Sequence, residues 1–189
     1  MEYRRLGNSG LTVSRIALGC MSFGDVSRGF SDWSLGEEEA QPFFQQALEL
    51  GINFWDTANV YGYGSSEEIV GRALRKYTRR DDIILATKVH FKVHDGPGGS
   101  GLSRKAIMEQ IDASLARLDT DYVDLYQIHR FDLNTPVDET MEALHASSKP
   151  ARLATSEPHP YGPGSSRRCS TSPNCTAGPS SSPCKINTA

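Results

Sequence analysis

Apolar positions in the first 145 residues follow helical spacing in four segments. In the first segment, which begins at Gly36 and ends at Gly51, apolar residues recur three and four positions apart and share one helical face. Equivalent faces predict a helix that begins at Ser65 or Ser66, one capped by Ser103 and one whose first turn contains Pro136. The inward positions of the first three helices are expected to be Ala40, Phe43, Phe44, Ala47 and Leu48; Ile69, Val70, Ala73 and Leu74; and Ile107, Ile111, Ser114, Leu115 and Leu118.

Short apolar runs between these helices predict strands at residues 15–18, 52–55, 82–88 and 121–129, after a hairpin that turns at Gly7-Asn8-Ser9-Gly10. Strand and helix alternate at intervals of about 30 to 40 residues, which indicates right-handed βαβ units around a parallel sheet. This order of elements fits either a doubly wound sheet or a (β/α)8 barrel.

Polar residues at the strand ends favour the barrel. Asp56, Lys88 and His129 each lie at or just past the carboxyl end of a different predicted strand, and Tyr61 lies in the loop after one of them. Sites assembled from several strand ends are typical of the top face of a (β/α)8 barrel. No glycine-rich dinucleotide motif follows the first strand, which disfavours the doubly wound alternative. The predicted fold class is therefore α/β, of the TIM barrel type.

These four residue types together indicate carbonyl chemistry. A tyrosine phenol, with a reference pKa of about 10, is a poor proton donor near neutrality. A lysine ammonium beside it lowers the phenol's pKa, and an aspartate paired with the lysine holds that charge in place. A histidine can orient the substrate oxygen through a hydrogen bond. Each residue taken alone also has a structural explanation, as a loop aspartate, a surface tyrosine, a solvent-facing lysine or a core histidine.

Three motifs resemble the aldo-keto reductase superfamily, in particular its aryl-alcohol dehydrogenase-like branch. They are "GINFWDTANVYGYGSSEEIVG" at residues 51–71, "ATKVH" at residues 86–90 and "DYVDLYQIHR" at residues 121–130. The resemblance extends from Tyr3 to His145. It implies an NADP-dependent oxidoreductase on a TIM barrel, whose substrate is a small-molecule carbonyl compound or alcohol.

The resemblance also implies a role for each site residue. Tyr61 would be the general acid, Lys88 and Asp56 the pair that tunes it, and His129 the group that orients the carbonyl. Gly19, Met21 and Asp56 would lie near the nicotinamide and its ribose. Three aromatic residues are candidates to line a pocket for aromatic or apolar carbonyl compounds: Trp33, Tyr63 and Phe91.

Charge and composition limit the possible partners. The 189-residue chain has a net charge of −3 and a pI near 5.9, so no basic field indicates nucleic acid or an anionic membrane as a partner. No apolar run approaches the roughly 20 residues that span a bilayer. A soluble, cytoplasmic enzyme is expected, and the sequence assigns no oligomeric state.

Residues 146–189 differ from the rest of the chain. They contain seven of the ten prolines, three of the four cysteines and few large apolar residues, which predicts a disordered, low-complexity segment. The irregular cysteine spacing favours neither a zinc site nor a disulfide framework, and no metal is expected.

The family pattern stops where this segment begins. A (β/α)8 barrel takes roughly 250 residues, and residues 1–145 provide its N-terminal half, a hairpin and about four β/α units. Codons permitted for residues 150–155 ("PARLAT"), read one base out of frame, can encode Gly-Lys-Ala-Arg-Tyr, which resumes the family pattern. We therefore expect that the tail results from a reading-frame shift and that the chain is impaired as a reductase. The alternatives are a regulatory protein on the same fold, similar to the channel-associated β subunits of the superfamily, and a nonfunctional fragment.

Overall fold

A computed structural model describes residues 1–148, which form a hairpin followed by four parallel strands and four helices. The hairpin pairs β1 (Tyr3–Arg5) with β2 (Thr12–Ser14) in antiparallel orientation. The parallel sheet has the order β3-β4-β5-β6, with strands Leu18–Gly19, Phe54–Asp56, Ile84–Val89 and Leu125–Ile128. The helices α1 to α4 are Glu37–Glu49, Ser65–Tyr77, Arg104–Leu118 and Val137–Ser147. The expected α/β architecture, with one helix after each strand, is confirmed. Within residues 1–148 the sheet is open, and β3 and β6 are its edges.

The main core lies between the sheet and the inner faces of the helices. Its largest fully buried side chains include Trp55 on β4, Leu85 on β5 and Phe44 on α1. The inward faces predicted for α2 and α3 are confirmed, with Leu115 partly buried. The inward position predicted for Phe43 is wrong: its ring lies at the edge of α1, half exposed and 5.9 Å from the ring of Phe23.

Several predicted element boundaries shift by a few residues. The strand predicted at residues 15–18 is observed as β3, Leu18–Gly19, because the Arg15 backbone N–H still donates to Glu2 in extension of the hairpin. The strand predicted at residues 52–55 continues to Asp56, which therefore lies inside β4. Residues 80–82 form a 3-10 turn, so β5 begins at Ile84 and not at the predicted residue 82.

The N-cap residues of α2, α3 and α4 differ in part from those predicted. Ser103 caps α3, as predicted, because its hydroxyl accepts a hydrogen bond from the Ala106 backbone N–H. Pro136 does not lie in the first turn of α4: its extended backbone, with ψ 136°, makes it the N-cap. The residue that precedes α2 is Gly64, and the hydroxyls of Ser65 and Ser66 form hydrogen bonds elsewhere.

Helices α2 and α3 approach each other at a glycine. A Cβ atom added to Gly71 would lie 2.4 Å from the backbone oxygen of Leu118. Real Cβ atoms do not come this close to a carbonyl oxygen, so the observed spacing of the two helices requires glycine at this position.

An ion pair joins the amino ends of β5 and β6. An Nη atom of Arg80 donates to Asp124 at 2.7 Å, and the same guanidinium also donates to the Thr120 hydroxyl and to the backbone oxygens of Ile83 and Tyr122. The Asp124 carboxylate also accepts from the Leu85 backbone N–H at 2.9 Å.

Residues 149–189 lie outside the described part of the chain, and so do the predictions of disorder and of a shifted reading frame made for them. Helix α4 extends to Ser147, two residues past the predicted boundary at His145. In residues 1–148, no helix is both long enough and apolar enough to cross a membrane.

Candidate active site

The site is centred on Lys88, whose ammonium contacts three groups. Its Nζ donates to the Asp56 carboxylate at 2.7 Å and to the Thr57 backbone oxygen at 2.9 Å, and lies 3.3 Å from the Tyr61 hydroxyl. Asp56 and Lys88 meet because β4 and β5 are adjacent parallel strands. The side chains of Lys88 and Asp56 are 13% and 29% exposed, so the charges lie at the mouth of the sheet and not in its core.

Tyr61 reaches this position through a tightly turned loop. Three successive residues have positive φ: Gly62 at 55°, Tyr63 at 49° and Gly64 at 91°. A Cβ atom at Gly62 would lie 2.2 Å from Ser65 Oγ, whose hydroxyl donates to the Gly62 carbonyl oxygen at 2.7 Å. The loop therefore requires glycine at residue 62. It returns the Tyr61 side chain over the end of β5, where the ring is buried.

His129 lies just beyond β6, against the Tyr61 ring. Its backbone N–H donates to the Val89 oxygen at 2.9 Å, and its ring meets that of Tyr61 edge-on, with 5.6 Å between centroids. Burial lowers the pKa of His129 below its usual value, and the positive charge of Lys88 lowers it further. The imidazole is therefore neutral near pH 7. Among residues 1–148, nothing forms a hydrogen bond with its buried Nδ1.

Gln127 belongs to the site and is absent from the sequence prediction. Its amide nitrogen donates to Asp56 at 3.2 Å, on the carboxylate oxygen that does not contact Lys88. The signal was present in the sequence: residues two apart in a strand face the same side, so Gln127 shares a face with His129. The pattern "YQIH" therefore carried two inward polar positions, of which only one was recognised.

Aromatic rings surround the catalytic candidates. Phe91 contacts His129 at 4.8 Å between centroids, and Tyr63 contacts Phe30 edge-on at 5.8 Å. Phe30, which the sequence prediction missed, also lies 6.4 Å from the Tyr61 ring. Trp33, the third predicted pocket residue, is half exposed.

The residues predicted to border a cofactor line the same edge. Gly19 is paired in register with Asp56, and a Cβ atom built on it would meet no other atom within 4 Å. Met21 is 45% exposed. Within residues 1–148, Gly19 and Met21 thus leave space beside the Asp56 carboxylate. Cys20 between them is buried, and burial raises the pKa of its thiol, which keeps the sulfur protonated and unreactive.

The four predicted site residues are thus brought together at the carboxyl ends of β4, β5 and β6. Lys88 contacts Asp56 and Tyr61 directly, whereas His129 joins them through ring packing. Within the described part of the chain, no group of three or more histidine, cysteine or acidic residues could hold a metal ion. The arrangement provides a neutral imidazole and a phenol next to a fixed positive charge.

Comparison with known proteins places this geometry in a family. The family model described as "Aldo/keto reductase family" matches residues 15–149, which contain every residue of the site. The chain belongs to the aldo/keto reductase family. A solved aldo-keto reductase from Bacillus halodurans, in its holo form, matches with a TM-score of 0.65 and 44% identity, covering 77% of this chain and 46% of that one. The open sheet is therefore the N-terminal part of the family's TIM barrel.

Curated relatives of this aldo-keto reductase carry different names. Versiconal hemiacetal acetate reductase of Aspergillus parasiticus is 45% identical over 163 residues, which cover 77% of this chain and 47% of the relative. A protein of Arabidopsis thaliana named "Probable voltage-gated potassium channel subunit beta" is 44% identical over 147 residues, covering 77% and 42%. The chain thus spans about half the length of the curated relatives it matches.

Proposed function

We propose that this site reduces an aldehyde or ketone to the alcohol with hydride from NADPH, when residues 1–148 are part of a closed aldo-keto reductase barrel. The observation that carries the proposal is the position of the Lys88 ammonium, which contacts the Asp56 carboxylate at 2.7 Å and the Tyr61 hydroxyl at 3.3 Å. Few structural roles require a lysine to be held against a buried phenol. Proton donation by that phenol requires such a lysine, because the ammonium stabilises the negative charge that the phenol acquires.

The proton transfer follows from these contacts. A reduced nicotinamide beside Gly19, Met21 and Asp56 supplies the hydride when bound. The Tyr61 hydroxyl donates its proton to the carbonyl oxygen, so the carbonyl gains one hydride on carbon and one proton on oxygen. The Lys88 ammonium stabilises the negative charge that remains on the Tyr61 oxygen, and Asp56 fixes the ammonium. A solvent proton then restores the phenol.

His129 acts as a neutral donor in this scheme. Because its pKa is lowered, the ring carries one N–H near pH 7 and adds no second positive charge beside Lys88. That N–H donates to the carbonyl oxygen and directs it toward the Tyr61 hydroxyl. Lys88 is thus the positively charged group that contacts the Tyr61 oxygen.

The finer assignments rest on the sequence resemblance. They are the use of NADP in preference to NAD, membership of the aryl-alcohol dehydrogenase-like branch, and a reading-frame shift near His145 that produces the tail. The last of these is supported by the codons permitted for residues 150–155, which read one base out of frame as Gly-Lys-Ala-Arg-Tyr. We therefore propose that restoring the frame after His145 raises turnover above that of the 189-residue chain.

The test is NADPH oxidation with an aryl aldehyde, measured on the 189-residue chain and on the chain with its frame restored. In the restored chain, we expect Tyr61→Phe to lower kcat by about 10² to 10⁴, the usual contribution of a general acid. Tyr63→Phe is the matched control, because it removes a phenol hydroxyl from a half-exposed tyrosine two residues away and keeps the ring that contacts Phe30. Full activity in Tyr61→Phe would refute the proposed mechanism, and equal turnover of the two chains would refute the frame proposal.

A regulatory role is the second candidate, supported by the relative named as a potassium channel β subunit. A purely regulatory protein of this fold would bind cofactor without turning over aldehydes. Cofactor binding without NADPH oxidation, in the chain with its frame restored, would therefore favour this candidate over the reductase.

A further inference from the structure

Glu67 is a fully buried carboxylate that the proposed reaction does not use. It lies in the first turn of α2 and is 0% exposed. One of its oxygens accepts from the Thr87 hydroxyl at 2.6 Å, and the other accepts from Arg117 Nε at 2.7 Å. Burial of a charge costs free energy unless the charge is paired and hydrogen-bonded. Both oxygens of Glu67 satisfy that condition.

Thr87 connects Glu67 to the strand that carries Lys88. Thr87 and Lys88 are neighbours on β5, so their side chains point to opposite faces of the sheet. Thr87 is buried on the helix side, while Lys88 points to the site. Glu67 therefore holds the outer face of β5 beside the residue whose ammonium meets Tyr61.

Arg117 connects Glu67 to the loop that carries Tyr61. A Cβ atom built on Gly64 would lie 2.6 Å from Arg117 Cδ and 2.8 Å from Nε, so the arginine side chain covers the last residue of that loop. Gly64 has φ 91°, and α2 begins directly after it. The Arg117 side chain therefore packs directly against the junction between the Tyr61 loop and α2.

We propose that Glu67 and Arg117 are positioning residues that set the distance between the Tyr61 hydroxyl and the Lys88 ammonium, an inference that rests on the proposed function of that contact. Glu67 links the strand of Lys88, through Thr87, to the end of the Tyr61 loop, through Arg117. Neither residue reaches the open side of the site. Their effect on the site is the alignment of two segments that lie 27 residues apart in the chain.

The chain contains a matched control. The Arg80–Asp124 pair is also largely buried, with side chains 18% and 14% exposed. It also involves β5, through the Leu85 backbone N–H, but it lies at the opposite end of the strand. A substitution there weakens the fold without touching the Tyr61 loop.

The experiment compares Glu67→Gln and Arg117→Gln with the control Asp124→Asn, all in the 189-residue chain. Two local quantities are measured by mass spectrometry: amide hydrogen exchange in residues 58–66, and the rate at which an acetylating amine reagent modifies Lys88. Urea unfolding measures global stability. For both glutamine variants we expect both local rates to rise by about tenfold relative to the control, the equivalent of one lost charge-assisted hydrogen bond.

Arg117→Lys serves as the conservative variant, because it keeps a positive charge near Glu67. We expect it to restore most of the Lys88 protection that Arg117→Gln loses. Glu67→Gln and Arg117→Gln each carry the comparison if the other does not fold. Local rates that rise no more than in Asp124→Asn would overturn the inference and leave the pair a purely structural one.

Neither local measurement depends on turnover. Loss of Lys88 protection together with full activity of Tyr61→Phe would refute the proposed function but not the positioning. Unchanged protection together with an inactive Tyr61→Phe would refute the positioning alone.

Discussion

The two ends of β5 each carry an ion pair to a neighbouring strand, and the pairs differ in how fully the protein satisfies them. At the amino end, the Arg80 guanidinium donates to four different residues, and Asp124 accepts from both Arg80 and a backbone N–H. At the carboxyl end, Lys88 and Asp56 are closely paired, but the nearby Nδ1 atoms of His90 and His129 are buried without a partner within residues 1–148.

This difference distinguishes a structural ion pair, Arg80–Asp124, from the pair at the candidate site, Lys88–Asp56. Buried polar groups in folded proteins are nearly always hydrogen-bonded, so a fully paired guanidinium and an unpaired ring nitrogen mark different environments. The amino end has the arrangement expected of a structural pair. The carboxyl end lies at the face where barrel enzymes bind their substrates, and two of its histidine ring nitrogens have no partner within residues 1–148.

The largest expected effect comes from breaking the amino-end pair. Arg80→Met leaves Asp124 largely buried without its cation and should lower the free energy of unfolding by about 2 to 4 kcal/mol. Lys88→Met should cost about 1 kcal/mol or less, because Asp56 is 29% exposed and keeps its hydrogen bond from Gln127. Urea unfolding followed by circular dichroism measures both. Equal losses in the two variants would contradict the contrast between the ends.

A smaller effect separates the ends at alkaline pH. Burial and a hydrogen bond to Asp81 raise the pKa of Tyr122 to about 12 from its ordinary value of 10.0. The folded state holds this proton more tightly than the unfolded chain, so the resulting stability is present below pH 10 and is lost as the pH rises toward 12. Tyr122→Phe should reduce the fall in stability over that interval. Tyr63→Phe is the control and should leave the fall as steep as in the parent chain.

The smallest effect occurs at acidic pH, at the carboxyl end. The pKa of His129 is lowered from 6.5, first by burial and then by Lys88. The unfolded chain binds this proton more tightly, so stability falls as the pH drops from 6.5 through the lower pKa of the folded state. His129→Gln should flatten the pH dependence of urea unfolding in this range. His145→Gln, on the exposed surface of α4, should not, and the same slope in both variants would contradict the assignment.

Much of the fold could be predicted because its signals are local. The apolar faces of α2 and α3 follow helical spacing, and Ser103 caps α3 with its own hydroxyl. Errors arose where tertiary contacts set a boundary. The hairpin extends through Arg15, so β3 begins later in the chain than predicted. No local pattern shows whether Arg15 pairs with the hairpin or with the parallel sheet.

The site was predictable to the extent that its residues lie at strand ends. Asp56, Lys88 and His129 lie at the ends of apolar runs, so the sequence alone places them on one edge of a sheet. Arg117 could not be found this way, because it is 50 residues from Glu67 and reads as an ordinary basic residue in the last turn of α3. Pairing of two helices has no signature in the local pattern of either.

The contact between Gly71 and Leu118 means that the helix layer cannot accept a larger residue at position 71. A side chain at residue 71 would collide with the Leu118 carbonyl group at the end of α3. The collision would displace α2 at its middle, and its two ends would move as well. One of those ends directly follows the phenol-bearing loop. Directed evolution that randomises only the rim of the barrel would therefore leave untouched a position, without any chemistry of its own, that fixes the spacing of α2 and α3.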